Sequence, residues 1–155
     1  MNGHNTQCYA VSMRIRELSH SVYQTQYHIV WGTKYRRKLL KHYVRKELIK
    51  SLYKTQRKHP TWYFVEINTD CDHVHLLMEI PPSDRLSDVV RELKVDSSSH
   101  LRKSFKFIDR IYKESGIWSV GYFVSTVGLN EKTIRKYIFL QNAKDIGRDI
   151  SEEFS

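Results

Sequence analysis

Residues 62–80 read WYFVEINTDCDHVHLLMEI, and their pattern decides the fold. Trp62 to Asn68 is rich in aromatic and β-branched residues and predicts a strand. Thr69-Asp70-Cys71-Asp72 supplies turn chemistry, and His73 to Ile80 predicts the next strand. Pro81-Pro82-Ser83 then breaks the pattern.

The stretch upstream, from Ser21, reads SVYQTQYHIVWGTKY and places Tyr23, Thr25, Tyr27, Ile29 and Trp31 on one parity, predicting a first strand. Leu40, Val44, Leu48 and Leu52 recur every fourth position and predict a helix ended by His59-Pro60. On the other side, Leu86, Val89, Val90, Leu93 and Leu101 predict a second helix, capped by Ser83 or Asp84 and running to about Lys106. Phe107–Ser115 has no decisive period. Trp118 to Val127 predicts a fourth strand, and Asn130 caps a last helix to about Ala143, with Glu131 near its positive end. The order β-α-β-β-α-β plus a terminal helix predicts an α+β, ferredoxin-like fold with an antiparallel sheet and helices on one face. Residues 1–20 form an unassigned N-terminal extension in this scheme, 21–144 a single domain and 145–155 a polar tail.

Charge is the first pointer to function. The 155-residue chain carries 26 Lys and Arg against 17 Asp and Glu, a formal +9. Eleven basic residues and one acid, Glu47, lie between Lys34 and Lys58, so that segment alone carries +10 and the remainder −1. Positive charge concentrated in this way suits a polyanion, although a solvated lysine-rich helix face has the same composition. No apolar run approaches the roughly 20 residues of a membrane span. The start, MNGHNTQCYAVSMR, lacks the pattern of a secretory signal, and Cys8 and Cys71 fit no disulfide framework or zinc spacing. A cytoplasmic protein without a membrane partner is the expectation.

His73 and His75 alternate with Val74 on a predicted strand, so both imidazoles point to one face with roots roughly 7 Å apart. They can share a metal ion if a third ligand comes from elsewhere, or they are two half-buried, hydrogen-bonded histidines beside a turn. Tyr137 and Gln141 lie one helical turn apart on one face of the last helix. A phenol is a possible phosphoryl-transfer nucleophile and a carboxamide oxygen an acceptable ligand for a hard cation; a packed helix tyrosine is the plain alternative.

Taken together and in order, HSVYQTQYHIVWGTKYRRKLL (20–40), CDHVHLLMEIPP (71–82), LKVDSSSHLRK (93–103), WSVGYFVSTVG (118–128) and IRKYIFLQ (134–141) are similar to the IS200/IS605-family transposases, single-tyrosine members of the HUH nucleases. The resemblance runs from about His20 to Gln141 and departs at Lys94-Val95-Asp96, where relatives often carry glycine after the lysine. It implies Tyr137 as nucleophile on the C-terminal helix, His73, His75 and Gln141 as metal ligands, and Mg2+ or Mn2+ as the cofactor. It also implies single-stranded DNA with hairpins at element ends as substrate, and a homodimer in which one subunit's tyrosine helix can complete its partner's site. The expected reaction is metal-assisted cutting and rejoining of DNA through a 5′-phosphotyrosine, on the nucleoid when acting. Under that expectation Lys34, Arg36, Arg37, Lys94, Arg135 and Lys136 are the candidate DNA contacts. A host-adopted relative acting on repeated hairpins, and a non-catalytic single-stranded nucleic-acid binder, are the alternatives.

Overall fold

A computed structural model describes residues 16–18, 21–23, 25–113, 115–126 and 138–140. Its strands are β1 (Arg16–Leu18), β2 (Ser21–Tyr23), β3 (Gln26–Gly32), β4 (Tyr63–Thr69), β5 (His73–Glu79) and β6 (Phe123–Thr126). The helices are α1 (His42–Arg57), α2 (Leu86–Ser104) and α3 (Lys106–Ile111). β3 to β6 form one sheet in the order β4-β5-β3-β6, every neighbour antiparallel, which is the expected α+β ferredoxin-like topology.

The stretch expected as a first strand divides in two. β2 pairs antiparallel with β1 as a separate two-stranded sheet, and only β3 enters the main sheet. Arg16–Leu18 is thus a strand within the stretch where periodicity predicts nothing. Along β3, Ile29 and Trp31 face the helices and are fully buried with Val74, Leu76 and Met78 of β5. A register shift between Phe64 and Glu66 inserts one residue into β4. The bulge changes parity, so Phe64 pairs with Met78 and Ile67 with Leu76, both against the core.

Val44, Leu48 and Leu52 of α1 and Val89, Val90, Leu93 and Leu101 of α2 close the core from one side. Leu40 is buried with them but precedes the helix, which begins at His42. α1 has Lys54 and Arg57 in its last turn, where the helix dipole favours cations. The two helices are tied by Thr55 donating to Asp96 at 2.9 Å, Lys58 to Asp96 at 2.8 Å and His100 pairing with Glu47 at 2.8 Å.

Two further boundaries differ from the sequence expectation. Neither Ser83 nor Asp84 caps α2: the N-cap is Arg85, and the Asp84 carboxylate instead accepts from the Trp62 indole at 2.6 Å. A buried indole N–H needs an acceptor, and this tertiary demand outweighs the local cap. The fourth strand begins at Phe123, not Trp118, because residues 117–119 bond the loop after β3 instead. Lys34 N–H donates to Ile117 O, and Ser119 N–H to Gly32 O. Gly121, at φ 87°, then turns the chain into β6.

Candidate active site

The face of the sheet away from the helices carries the histidines. Opposing residues in the ladder share a face, which groups His73 with Gly32, His75 with Val30 and Asn68, and Leu77 with His28 and Glu66. Val74, between the histidines, is fully buried on the helix side. Both imidazoles therefore emerge on one surface, half-buried, at the end of β5 that follows the tight turn through Asp70.

Each ring is held through one nitrogen. His73 Nδ1 lies 2.9 Å from Asp72 Oδ1 and donates to that carboxylate, an arrangement that in the neutral ring leaves the lone pair on Nε2. His75 Nε2 lies 3.1 Å from His28 Nδ1 on the neighbouring strand, the rings tilted at 45°. Burial lowers the His75 pKa, and the nearby His28 and His73 act in the same direction against the opposing pull of Glu66. Burial lowers His28 as well, again opposed by Glu66. Imidazoles kept neutral near pH 7 are in the state that ligates metals, and a partner on the second nitrogen is what orients such ligands.

Among the described residues no three His, Cys, Asp or Glu side chains are grouped to hold a cation on their own. Two imidazoles are an incomplete set, and the chemistry calls for one further oxygen donor. Gln141 is of that kind; it and Tyr137, Arg135 and Lys136 lie outside the described residues. Ile138–Leu140, between Tyr137 and Gln141, is helical, and the Ile138 carbonyl accepts a 2.8 Å bond from Arg36 Nη1.

The remaining basic candidates separate into two kinds. Lys34 and Arg37 flank Tyr35, which is 46% exposed. The Lys34 ammonium is 5.9 Å and the Arg37 guanidinium 5.3 Å from its ring centre. Arg36 and Lys94 are turned to protein groups. Arg36 pairs with Asp72 at 2.8 Å. Lys94, on the helix side of the sheet, donates to Ser119 O at 2.7 Å and Gly121 O at 2.9 Å. Sequence reading passed over His28 and Asp72. Asp72 immediately precedes the His-Val-His triplet, and His28 has the parity opposite to the buried Ile29 and Trp31, so both carried a usable signal.

The family model described as "Transposase IS200 like" matches residues 21–141. The chain belongs to the IS200-like transposase family. It is 35% identical over 140 residues to the transposase for insertion sequence element IS200 of Salmonella typhimurium, covering 88% of this chain and 90% of that one. It is 29% identical over 125 residues to the ISDra2 transposase TnpA of Deinococcus radiodurans, covering 80% and 89%. Among solved structures, a candidate transposase from Deinococcus radiodurans R1 matches with a TM-score of 0.72 and 27% identity, over 82% of this chain and 98% of that one. A REP-associated tyrosine transposase, solved bound to a REP hairpin, shares the fold at TM-score 0.51 and 18% identity, over 86% and 75%. This transposase is thus an enzyme acting on DNA, in a family that is metal-dependent in general. No helix among the described residues is long and apolar enough to cross a membrane.

Proposed function

We propose that this transposase cuts and rejoins single-stranded DNA at hairpin-bearing element ends, with Tyr137 as nucleophile. The observation that carries the reading is the pair His73 and His75 on one sheet face, each with one nitrogen engaged by a neighbouring side chain. His73, His75 and Gln141 would hold a divalent cation, Mg2+ or Mn2+, which supplies polarisation of the scissile phosphate and neutralisation of developing charge. Asp72 and His28 keep the two imidazoles in place and in one tautomer.

The Tyr137 oxygen attacks phosphorus and gives its proton to water, while the bond to the 3′ oxygen breaks and that oxygen takes up a proton from water. The products are a 5′-phosphotyrosine and a free 3′-hydroxyl. Because the phosphodiester energy is retained in that link, a second 3′-hydroxyl can reverse the step on another strand without ATP. Lys34 and Arg37, beside the exposed Tyr35 ring, are the described candidates for gripping DNA, since cations and an aromatic face suit phosphate and base together. Arg135 and Lys136 extend the same role near the nucleophile. A homodimer completes the proposal, each site drawing its tyrosine either from its own subunit, as the Arg36–Ile138 contact within one chain favours, or from the partner. Mixing Tyr137→Phe subunits with His73→Ala subunits tests it: activity survives only if a tyrosine serves its partner's histidines.

The deciding experiment incubates single strands from both sides of the coding sequence with protein and Mg2+ or Mn2+, then resolves them on a denaturing gel. A covalent protein–DNA band that requires metal, Tyr137 and His75 is expected. Cleavage that persists in Tyr137→Phe overturns the choice of nucleophile. Binding without any adduct from any strand overturns the enzymatic reading in favour of a binding module.

A further inference from the structure

The guanidinium beside the start of the histidine-bearing strand is not free to meet a phosphate. Arg36 uses all three guanidinium nitrogens inside the protein. Nε and Nη2 donate to Asp72 Oδ2 at 3.1 and 2.8 Å, and Nη1 donates to Ile138 O at 2.8 Å. Its side chain is only 17% exposed. We propose that Arg36 is a positioning residue that fastens the segment following Tyr137 to the start of the histidine-bearing strand, with Asp72 as the common anchor. The proposal deepens the nuclease reading and rests on it for its catalytic consequence.

The loop that carries Arg36 is built around this contact. Tyr35 and Arg36 stand at φ 60° and 51°, two consecutive left-handed residues with side chains. Such backbone persists only where its surroundings impose it. Here they do. Arg36 N–H donates to Thr33 O at 3.0 Å, Thr33 Oγ1 to Arg37 O at 2.8 Å, and Thr33 N–H to Asp72 O at 2.8 Å. The arginine stem lies over Gly32, where a β-carbon would sit in van der Waals contact with Arg36 Cδ and Asp72 O, 3.4 Å from each.

The topology gives the clamp its meaning. Asp72 is covalently next to His73, and Ile138 is covalently next to Tyr137. One guanidinium thereby links the neighbour of a proposed metal ligand to the neighbour of the proposed nucleophile across 102 positions of sequence. A planar fork can serve two acceptors in fixed directions, which a lysine ammonium on a flexible stem does not reproduce.

Three measurements on the full chain test this, comparing wild type with Arg36→Ala and Arg36→Lys. Hydrogen exchange read by mass spectrometry should quicken at least tenfold in the peptide spanning 138–140 in both variants, with α1 unchanged. Affinity for a hairpin-bearing single strand should stay within about twofold, with the same salt slope. The single-turnover rate of adduct formation should fall at least thirtyfold. If Arg36→Ala loses protection throughout α1, it has unfolded and Arg36→Lys decides. Unchanged exchange at 138–140 overturns the proposal. So does a salt slope shallower by about 0.7, the share of one phosphate contact on a single strand. A wild type that yields no adduct, while exchange at 138–140 still responds to Arg36, sinks the nuclease reading and upholds the clamp.

Discussion

Replacing Asp72 by asparagine separates two jobs that one carboxylate performs. Its Oδ2 accepts both bonds from Arg36, at 3.1 and 2.8 Å, while Oδ1 accepts the His73 Nδ1 proton at 2.9 Å. An amide has one acceptor oxygen and one donor nitrogen, so it cannot serve both sides. With its oxygen toward Arg36, the amide N–H2 faces His73 Nδ1, and the ring must move its proton to Nε2, the nitrogen proposed to meet the cation. With the oxygen toward His73, two donors face each other at Arg36. The first arrangement keeps the charge-assisted bonds and is favoured, so His73 takes the wrong tautomer.

Loss of such an orienting partner costs about 10–100-fold in metal affinity. Breaking a fully buried ion pair costs about 3–5 kcal/mol. Water reaches these side chains, 17% and 15% exposed, and the amide oxygen retains part of the bonding, so about 1–2 kcal/mol is expected. That corresponds to a Tm lower by about 2–8 °C for a chain of this size. Mn2+ titration followed by electron paramagnetic resonance, with thermal melts in parallel, reads both effects. If Asp72→Asn binds Mn2+ within twofold of wild type while His73→Ala does not bind it, the tautomer reasoning is refuted.

Other outcomes follow from the same geometry. Leu48→Ala, in the fully buried stripe of α1, should cost about 2–5 kcal/mol in chemical denaturation; a smaller loss would mean the helix face repacks. Lys34→Met with Arg37→Met should flatten the salt slope of single-strand binding by about 1–1.4, whereas Lys94→Met should leave the slope alone and lower Tm, since its ammonium holds the Ser119 and Gly121 carbonyls. His28 and His75 titrate below the ordinary histidine value in the folded chain. The unfolded chain therefore takes up protons first, and stability should be complete above the ordinary value of about 6.5 and decline as pH falls below it. Melts at pH 7.5 and 5.5 should show that decline, reduced in His28→Asn; a Tm indifferent to pH would contradict it.

The hairpin around Asp70, the stripes of α1 and α2 and the order of elements were legible because each rests on a local period of two or nearly four residues. The boundaries misplaced at Asp84 and Trp118 share one cause. Asp84 looked like a cap until the Trp62 indole claimed it, and Trp118 looked like a strand residue until its neighbours bonded the Gly32–Lys34 loop. Arg36 is the sharpest case. In sequence it is one more cation in a basic run, and nothing local distinguishes it from Lys34 or Arg37. Its partners lie 36 and 102 positions away.

Sequence alone determined that two imidazoles share a face, because side-chain direction along a strand is set by backbone period. It determined the family too, through the order of its motifs. Which nitrogen of His75 is engaged, by His28 on the neighbouring strand, was decided only by the tertiary structure, as was the inward turn of Arg36 and Lys94. Those properties depend on which groups approach from distant parts of the chain, and hydrogen-bond competition at such meetings is settled by three-dimensional distance, to which separation along the chain is no guide.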